Sequence, residues 1–277
     1  MISFRKADIV EEGEAMAALL RETFDQSIFT VDYLVWKHVQ NPAGKSFVLV
    51  AEENARIVGL RIFMIWDFHI DGKAYKALRP VDTAVHKDYQ GKGLFKKLTL
   101  QGLDMMKGNF HFIFNTPNNN SLPGYLKMGW TQINSKAAFY FTPVIPFHKK
   151  TRFIEDRKLE NSAEVTDFIK WRYNPPRYNW ATFSDQSLII YRVEKRRFFN
   201  IVVIVDSFFT RQKLKRNIQA ICNKEKALGY IFLYSKKTQM LKSFFSLKRA
   251  SPVIVSKDAN AILDHYDFAL GDVEGIL

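Results

Sequence analysis

A mixed α/β fold is predicted for this chain of 277 residues, because segments with strand character and segments with helical spacing follow one another along it. The segments Phe47–Glu52 and Arg56–His69 are apolar and of strand length. Met16, Leu20 and Phe24 recur at the spacing of one helix face. With 47% hydrophobic and 14% aromatic residues the chain can build a core, which excludes a wholly disordered protein.

The elements predicted up to residue 86 are four strands and two helices. The strands are Met1–Lys6, Phe47–Glu52, Arg56–His69 and Lys73–His86, and the helices are Glu11–Phe24 and Val31–Val39. The second helix is expected to stop at the turn signal Asn41-Pro42-Ala43-Gly44. Asp71-Gly72 suits a tight hairpin turn between the third and fourth strands.

The elements that follow alternate between helix and strand. They are the helix Gly91–Lys107, the strand Phe110–Asn115, a short helix at Asn118–Lys127 and the strand Thr131–Phe141. Strands interleaved with helices in this way predict a sheet of mixed direction covered by helices.

Sequence similarities between the two halves predict two domains. Asp32–Lys37 is echoed by Asp167–Arg172, and each is followed by Asn-Pro. Phe112–Phe114 is echoed by Tyr230–Phe232, and the Leu122–Trp130 segment after it by Leu241–Arg249. Because the similarities keep the same order, they predict two copies of one fold. We expect domains at 1–145 and 161–277, with a linker at 146–160, where prolines and a basic run occur.

The composition also bears on compartment and partners. Cys222 is the sole cysteine, which excludes a disulfide framework and favours a reducing cytoplasm. The N-terminus has no secretory signal pattern, and no apolar run approaches the roughly 20 residues of a membrane span. The net charge of +13 is divided between residues 1–150 (19 basic, 14 acidic) and 151–277 (22 basic, 14 acidic). It is densest between Arg192 and Arg216, where a solvated surface and an anionic partner are both open interpretations.

A tight turn with two glycines separates a predicted strand from a predicted helix near residue 90. Gly91 and Gly93 would let the backbone approach a phosphate closely, and the free N–H groups of the first helical turn carry about half a positive charge. Lys92, Lys96 and Lys97 add to that field. The segment therefore predicts an anion-binding site, although a purely structural turn fits the same residues.

The same segment resembles the cofactor loop of the GNAT superfamily of acyl-CoA-dependent N-acyltransferases, which reads Gln/Arg-x-x-Gly-x-Gly/Ala. Gln90 and Gly93 occupy matching positions, and the preceding Ala84-Val85 is similar to the family's strand-to-loop approach. Phe95 departs from the small residue of the last position, which bears on how closely the helix can approach a pyrophosphate.

A second motif lies one helix and one strand further along. Asn118-x-x-Ser121-x-x-x-Tyr125-x-Lys127-x-Gly129-Trp130 is similar to the family's Asn-x-x-Ala/Ser-x-x-x-Tyr-x-Lys-x-Gly-Phe/Trp. The likeness extends over residues 1–142. It implies the GNAT fold, an α/β fold whose mixed sheet splays between its fourth and fifth strands, with the pantetheine arm of acyl-CoA in the gap.

The resemblance implies an N-acyltransferase that moves an acetyl or other acyl group from acyl-CoA to a primary amine of a small molecule, amino sugars included. No metal is implied. The residues implied in cofactor binding lie at the strand end, in the loop, in the first helical turn and in the second motif: Ala84, Val85, Gln90, Gly91, Lys92, Gly93, Leu94, Phe95, Lys96, Asn118, Ser121 and Tyr125.

Three residues are predicted to be catalytic. Tyr125 is implied as the acid that protonates the departing CoA thiolate, while the backbone N–H at Val85 polarises the thioester carbonyl. Asp82 and His86 flank the strand end and are alternative bases for freeing the amine; an unperturbed histidine titrates near neutrality. A chain of water molecules is an equal alternative to either base.

The second half is predicted to be a degenerate GNAT-like copy, which makes the chain a tandem of two such domains. When Phe112–Phe114 is aligned with Tyr230–Phe232, Phe209–Gln212 stands opposite the glycine loop and Phe244 stands near Tyr125. Without the glycines and the phenol, this half is expected to have lost CoA binding and to buttress the first domain or shape the acceptor cleft.

Two other functions fit parts of the pattern. One is a non-catalytic CoA-binding or regulatory module, and the other is a tandem-GNAT aminoacyl transferase that uses charged transfer RNA. The retained glycine loop favours CoA, so nucleic acid is not an expected partner. Neither the acceptor, the acyl chain preference nor the oligomeric state has a motif in this sequence.

Overall fold

Two units make up the structure, a computed structural model that describes residues 1–70, 72–133, 137–144, 153–154, 165–173, 177–208, 213–257, 260–263 and 266–273. Unit 1 comprises Met1–Ile133 and Val253–Asp264, and unit 2 comprises Asn134–Pro252 and His265–Leu277. Each unit therefore combines a long stretch of chain with a short stretch near the C-terminus.

Unit 1 is built on a seven-stranded sheet. Its strands are β1 (Ser3–Lys6), β2 (Phe47–Glu53), β3 (Arg56–Ile70), β4 (Lys73–Val85), β5 (Phe112–Asn115), β6 (Thr131–Gln132) and β14 (Val255–Lys257). Its helices are α1 (Ile9–Phe24), α2 (Val31–Leu34), α3 (Leu94–Met105), α4 (Leu122–Lys127) and α7 (Asn260–Leu263), and a π-helical turn, Val35–Val39, continues α2. The strand order is β1-β2-β3-β4-β5-β14-β6.

Helices cover both faces of this sheet because its central strands are apolar on both sides. On one face Met16 and Leu20 of α1 are buried in a cluster with Leu60 and Ile62 of β3. On the other face the first turns of α3 pack on Leu49 and neighbouring residues of β2 and β3. The Asp8 carboxylate accepts a hydrogen bond from the N–H of Val10 and so caps the start of α1.

An opening forms between β4 and β5. The two strands run parallel, and their described pairing is limited to Ala77 with Phe112 and Leu78 with Ile113. Beyond that point β4 continues to Val85 and stays paired with β3. The C-terminal half of β4 is therefore separated from β5, as the resemblance implies for a splayed sheet.

Unit 2 repeats this architecture strand for strand. Its strands are β7 (Ala138–Pro143), β8 (Phe153–Ile154), β9 (Asn179–Phe183), β10 (Leu188–Lys195), β11 (Asn200–Phe208), β12 (Ala227–Tyr234) and β13 (Leu247–Ala250), and its helices are α5 (Asp167–Arg172), α6 (Leu214–Lys224) and α8 (Leu270–Val273). The order β8-β9-β10-β11-β12-β7-β13 matches that of unit 1, with β11 and β12 as the parallel pair. The two sheets confirm the predicted tandem.

The sixth strand position of each sheet is filled from an unexpected part of the chain. In unit 1 it is β14, which lies between β5 and β6. In unit 2 it is β7, which lies between β12 and β13. Because β7 pairs within unit 2, the chain divides after Ile133, earlier than the predicted domain end at residue 145.

Several predicted element bounds differ from the structure, among them the helix predicted at Asn118–Lys127, which begins at Leu122. Thr131–Phe141 is not one strand, since β6 and β7 belong to different sheets. The helix predicted from Gly91 begins at Leu94, because Gly91 and Gly93 have φ values of 75° and 76°, which no α-helix allows. Leu241–Arg249, aligned with a helical segment, contains the end of a 3-10 turn and most of β13.

Several predicted features fall outside the described residues: Asp71 of the hairpin turn, the Asn174-Pro175 pair, the 146–160 linker except for the short strand β8, and the Phe209–Gln212 segment. Within the part of the chain that is described, no helix is both long enough and apolar enough to cross a membrane.

Candidate functional site

The glycine loop joins the end of β4 to the start of α3. Nε2 of Gln90 donates a hydrogen bond to the carbonyl of Val85 over 3.1 Å, which ties the loop to the strand end. Gly91 and Gly93 both have positive φ, and apart from their chain neighbours no heavy atom of the described residues lies within 4 Å of where their Cβ atoms would be. No side chain in the described part of the chain caps the N-terminus of α3. The first N–H groups of α3 therefore face an uncovered space that an anion could fill.

Lysine side chains surround this helix start. Lys92, Lys96 and Lys97 are exposed, and Nζ of Lys92 lies 4.7 Å from the centroid of the Tyr89 ring. The Tyr89 hydroxyl donates to Oε2 of Glu53 over 2.8 Å, which fixes the ring beside the loop. The positive field at the N-terminus of α3 is thus reinforced by three cations.

Tyr125 lies buried beside the β4–β5 opening. Its hydroxyl oxygen accepts hydrogen bonds from Nη2 of Arg61 at 2.7 Å and from Nδ2 of Asn115 at 2.5 Å. The Asn115 amide is oriented by its Oδ1, which accepts from the N–H of Thr116. Both lone pairs of the phenol oxygen are therefore used, and among the described residues no acceptor lies against its own O–H. This proton is left available to a group in the opening.

Arg61 is a buried cation within the same cluster. It is 1% exposed, and its guanidinium carbon lies 4.9 to 5.7 Å from the ring centroids of Phe63, Phe95 and Tyr125. It also donates to Oγ1 of Thr83 on β4. Its Nε has no hydrogen-bond partner in the described chain. A buried cation that donates to Tyr125 would stabilise the phenolate left after that residue gives up its proton.

Phe95 stands where the family pattern has a small residue, and its ring fits because Gly124 beside it has no side chain. A Cβ on Gly124 would lie 2.9 Å from Cε1 of Phe95. The Phe95 ring also packs edge-on against Tyr125, with 5.6 Å between centroids. The large side chain thus fills space that Gly124 leaves open, and the glycine loop keeps its positive-φ geometry.

Asn118 and Ser121 form the turn that starts α4. Oδ1 of Asn118 accepts from the backbone N–H groups of Asn120 and Ser121 and from Oγ of Ser121. These bonds position Tyr125 four residues later, so both residues support the cluster through the backbone. Ala84 and Val85 lie on β4, paired with Leu60 and Gly59 of β3.

Asp82 lies at an irregular position of β4, with a φ of 44°. Its carboxylate contacts Nζ of Lys37 at 2.9 Å and Nε2 of His38 at 2.7 Å. Burial would raise the pKa of Asp82, but the charge of Lys37 and the hydrogen bond from His38 hold it well below its usual range. Asp82 is therefore an ionised carboxylate with both oxygens occupied, which is a poor arrangement for a base.

His38 extends this network to Ser46. It is 1% exposed, and burial lowers its pKa despite the opposing effect of Asp82. Nε2 faces the carboxylate and so carries the proton, while Nδ1 lies 2.9 Å from Oγ of Ser46. The imidazole is neutral and engaged on both sides.

His86 is also buried and engaged on both sides. Its Nδ1 accepts from the N–H of Asp88 at 3.3 Å, and Nε2 lies 3.2 Å from Oε1 of Glu22. The residue caps the 3-10 turn Lys87–Tyr89. In this arrangement neither ring nitrogen offers a lone pair to a substrate.

The structure thus brings Tyr125 together with the cofactor loop residue Phe95 and leaves Asp82 and His86 in separate networks. Lys37, His38 and Arg61 were missed from the sequence. Arg61 had a readable signal, because it interrupts the apolar stretch of β3. Lys37 and His38 had none, since a helix surface normally carries such residues.

Unit 2 contains a related buried network at the corresponding strand. The Tyr173 hydroxyl donates to Oδ2 of Asp206 on β11 at 3.0 Å, and Nη1 of Arg172 contacts Oδ1 of Asp272 at 2.9 Å. Arg172-Tyr173 occupies the place of Lys37-His38 in the repeated sequence pattern. A Cβ on Gly271 would collide with the Tyr173 hydroxyl, so α8 packs directly on this network.

A small cavity lies at the end of β11 in unit 2. The cavity at the C-terminal ends of β11 and β12 has a volume of about 20 Å³ and is lined in part by Ala269 and Leu270. That space holds about one water molecule. Cys222, buried on α6, has its pKa raised to about 12 by burial, which makes it an inert core residue. Among the described residues, no group of three or more His, Cys, Asp or Glu side chains could hold a metal.

The N-terminal part of the chain matches one family model. A family model described as an acetyltransferase (GNAT) domain matches residues 4–133. A search of curated proteins found no match.

Solved structures share the fold over most of the chain. A GCN5-related N-acetyltransferase from Anabaena variabilis is 14% identical, with a TM-score of 0.70 over 94% of this chain and 74% of that one. One from Kribbella flavida is 10% identical, with a TM-score of 0.69 and coverage of 94% and 72%. Eis1 from Mycobacterium abscessus is 9% identical, with a TM-score of 0.60 and coverage of 92% and 73%. At these identities the likeness is one of fold.

Proposed function

A GNAT acetyltransferase family model matches residues 4–133, and from this match we propose that unit 1 transfers an acyl group from acyl-CoA to a primary amine of a small molecule. Acetyl is the simplest acyl group for this role, and amino sugars are the acceptors to test first. The proposal concerns unit 1 alone.

The uncapped start of α3 is the observation that carries the proposal. Gly91 and Gly93 hold left-handed conformations with open space beside them, so the loop can wrap a pyrophosphate without steric conflict. The helix start that follows offers free N–H groups, and Lys92 and Lys96 supply charge. The pairing of β4 with β5 is limited in the described residues to Ala77 with Phe112 and Leu78 with Ile113, and the unpaired length of β4 beyond it suits an extended pantetheine arm.

The chemistry requires a C–N bond to form and a C–S bond to break. The CoA thiolate that leaves needs a proton, and the O–H of Tyr125 is the free donor beside the opening. Arg61 and Asn115 donate to the phenol oxygen and would stabilise it as the proton departs. Tyr125 is therefore proposed as the general acid.

The amine must lose its proton before or during attack. Asp82 is ionised and fully paired, and His86 is hydrogen-bonded at both nitrogens, which favours water as the immediate acceptor. We retain Asp82 as a residue that anchors β4 at its irregular position beside the reaction centre. Ala84, Val85, Asn118 and Ser121 are proposed to act through the backbone that they position.

Unit 2 is proposed to be a copy that does not bind CoA. The cavity at the ends of β11 and β12 is about 20 Å³, far below the volume of a pantetheine arm, and α8 lies against it. The close packing of Gly271 on Tyr173 keeps α8 beside that strand end.

The test combines calorimetric titration of acetyl-CoA with release of free thiol from acetyl-CoA in the presence of an amine panel that includes amino sugars. We expect one binding site per chain and thiol release with at least one amine. If acetyl-CoA binds but no amine in the panel causes thiol release, the result would instead support a non-catalytic CoA-binding module. The absence of acetyl-CoA binding would overturn the proposal.

A further inference from the structure

One end of the unit 2 sheet gathers exposed apolar and basic side chains. It is the end at which β11 and β12 begin, opposite the small cavity at their C-terminal ends. Three chain segments form it, residues 194–199, 224–228 and 242–249, and we call them together the basic-aromatic end.

Strand pairing brings the three segments side by side. Lys195 of β10 pairs with Asn200 of β11, so residues 196–199 form the tip of a hairpin. Asn200 pairs in turn with Ala227 at the start of β12. The neighbouring strand β7 ends here, since Gly229 pairs with Pro143. The hydroxyls of Thr142 and Ser246 lie 2.7 Å apart, which brings the turn before β13 to the same end.

The segments therefore lie along one rim of the sheet. The five strands β10, β11, β12, β7 and β13 are consecutive neighbours. At about 4.8 Å between strands, the rim extends over about 19 Å.

Exposed apolar side chains are concentrated on this rim. Of the twelve large apolar side chains that are exposed in the described residues, six lie here: Phe198, Phe199, Leu228, Phe244, Phe245 and Leu247. Phe198 is 83% exposed and Phe244 97%, so both project from the unit. Such clustering differs from the scattered single apolar residues of an ordinary surface.

The same rim is strongly basic. The three segments contain eight basic residues and two acidic ones, a net charge of +6, although Nζ of Lys242 lies back from the rim over the Tyr140 and Tyr234 rings. The guanidinium carbon of Arg197 lies 5.1 Å from the centroid of the Phe198 ring, so charge and apolar surface sit together at the hairpin tip. This rim holds much of the positive charge that the sequence left without a role.

We propose that the basic-aromatic end is a docking surface for an anionic lipid membrane, with the Phe198 and Phe244 turns inserted at the interface and the surrounding cations on the headgroups. Projecting Phe side chains enter the boundary between headgroups and acyl chains, and each Lys or Arg near an anionic leaflet adds attraction.

Two other partners fit the surface less well. A nucleic acid would use the rings for stacking, but Leu228 and Leu247 have no π face to offer a base. A second copy of the chain would bring two rims of charge +6 together, and this repulsion opposes a symmetric interface.

Co-sedimentation with vesicles tests the proposal. The full chain should bind vesicles of equal parts phosphatidylcholine and phosphatidylglycerol at least about tenfold better than vesicles of phosphatidylcholine alone, and added salt should weaken the binding. Phe198→Ser combined with Phe244→Ser should lower binding at least about tenfold. Arg196→Gln combined with Arg197→Gln should lower it by a similar factor and reduce the salt effect.

Matched controls come from exposed residues elsewhere. Leu100→Ser with Met105→Ser removes two exposed apolar groups from α3, and Lys215→Gln with Arg216→Gln removes two cations from the start of α6. Both control pairs should bind within about twofold of the parent, since neither lies on the rim. All four double variants change exposed side chains, so thermal unfolding should show that each remains folded.

Several results would overturn the proposal. They are failure of the parent chain to bind the anionic vesicles, equal loss of binding in the control pairs, and unchanged binding in the Phe198→Ser, Phe244→Ser variant. Preferential binding of single-stranded RNA, or a parent dimer that the same variant dissociates, would assign the rim to a different partner and equally reject a membrane.

Discussion

Nε2 of His38 lies 2.7 Å from Oδ2 of Asp82, and in unit 2 the hydroxyl of Tyr173 lies 3.0 Å from Oδ2 of Asp206. In both units the residue two positions after a tryptophan holds an aspartate near the end of the fourth strand. Burial raises the pKa of Asp206, while Lys37 and His38 keep that of Asp82 low. The repeated contact stabilises the strand end at which unit 1 has its opening.

Asp82→Asn should destabilise unit 1 at neutral pH by about 3 kcal/mol, because it leaves Lys37 buried without its carboxylate. A carboxyl with a lowered folded pKa stabilises the fold fully above its unfolded pKa of about 3.9, and this stabilisation is lost as pH falls toward the folded value. Denaturant unfolding near pH 7 and again in acid should therefore show that the stability difference between the parent and Asp82→Asn is smaller in acid. Asp104→Asn, at an exposed position of α3, is the control and should have little effect at either pH.

His38→Gln should remove part of the pH dependence of stability. A histidine with a lowered pKa stays neutral in the fold and takes up a proton on unfolding, so its contribution falls as pH drops below about 6.5. In the parent this costs at most about 2 kcal/mol between about pH 7 and pH 5. The free energy of unfolding should change less between the two pH values in His38→Gln than in His69→Gln, which changes an exposed histidine. An equal pH dependence of stability in the two variants would mean that His38 is protonated in the fold.

Tyr125→Phe should lower kcat by about 100-fold or more through loss of the acid, with the dissociation constant for CoA within about twofold of the parent. It should also destabilise the domain by about 1–3 kcal/mol, since Arg61 and Asn115 lose their shared acceptor. Tyr75→Phe removes a phenol hydroxyl away from the opening and should change neither kcat nor the stability of the domain. Loss of CoA binding with unchanged turnover per bound complex would contradict the acid role.

Gly93→Ala should weaken CoA binding at least about tenfold, because a Cβ at a φ of 76° strains the loop and alters the path of its N–H groups. Gly108→Ala imposes a similar strain at a φ of 86°, beyond the end of α3. Calorimetry should show reduced affinity for the first variant alone, while denaturation should show a comparable cost of about 1 kcal/mol for both. Equal affinities would mean that the glycine loop serves only as a turn.

Gly124→Ala and Phe95→Ala should be strongly coupled. Alone, Gly124→Ala forces its Cβ to within 2.9 Å of the Phe95 ring and should lower stability by about 1–2 kcal/mol. In a Phe95→Ala background the clash is gone, and the better helix propensity of alanine should raise stability by up to about 1 kcal/mol. A double-mutant cycle from denaturant unfolding measures this change of sign. Additive effects would show that the two residues do not share the space.

The parts of the site that could be predicted from sequence are those whose residues lie close together along the chain. The turn at Gly91 and Gly93, the helix after it and the approach of Tyr125 after a strand each depend on a short run of residues. Backbone conformation is set largely by such local chemistry, which is why the resemblance could be read there.

The residues that were missed are brought together by long-range packing. Arg61 meets Tyr125 across 64 positions, and Lys37 meets Asp82 across 45. Asp82 and His86 were reasonable bases by position, but their partners on the π-helical turn and α1 occupy them. A side chain's availability depends on its neighbours in space, and one sequence does not record them.

Periodicity, glycine positions and repeated patterns are local properties, so the α/β class, the two-glycine turn and the duplication could be predicted from the sequence alone. Three-dimensional packing was needed to show that β14 completes the first sheet and β7 the second, that α8 packs on Tyr173 in unit 2, and that three distant basic segments share one rim. Strand partnership and burial arise from the joint packing of all elements, so they exist only once the chain has folded.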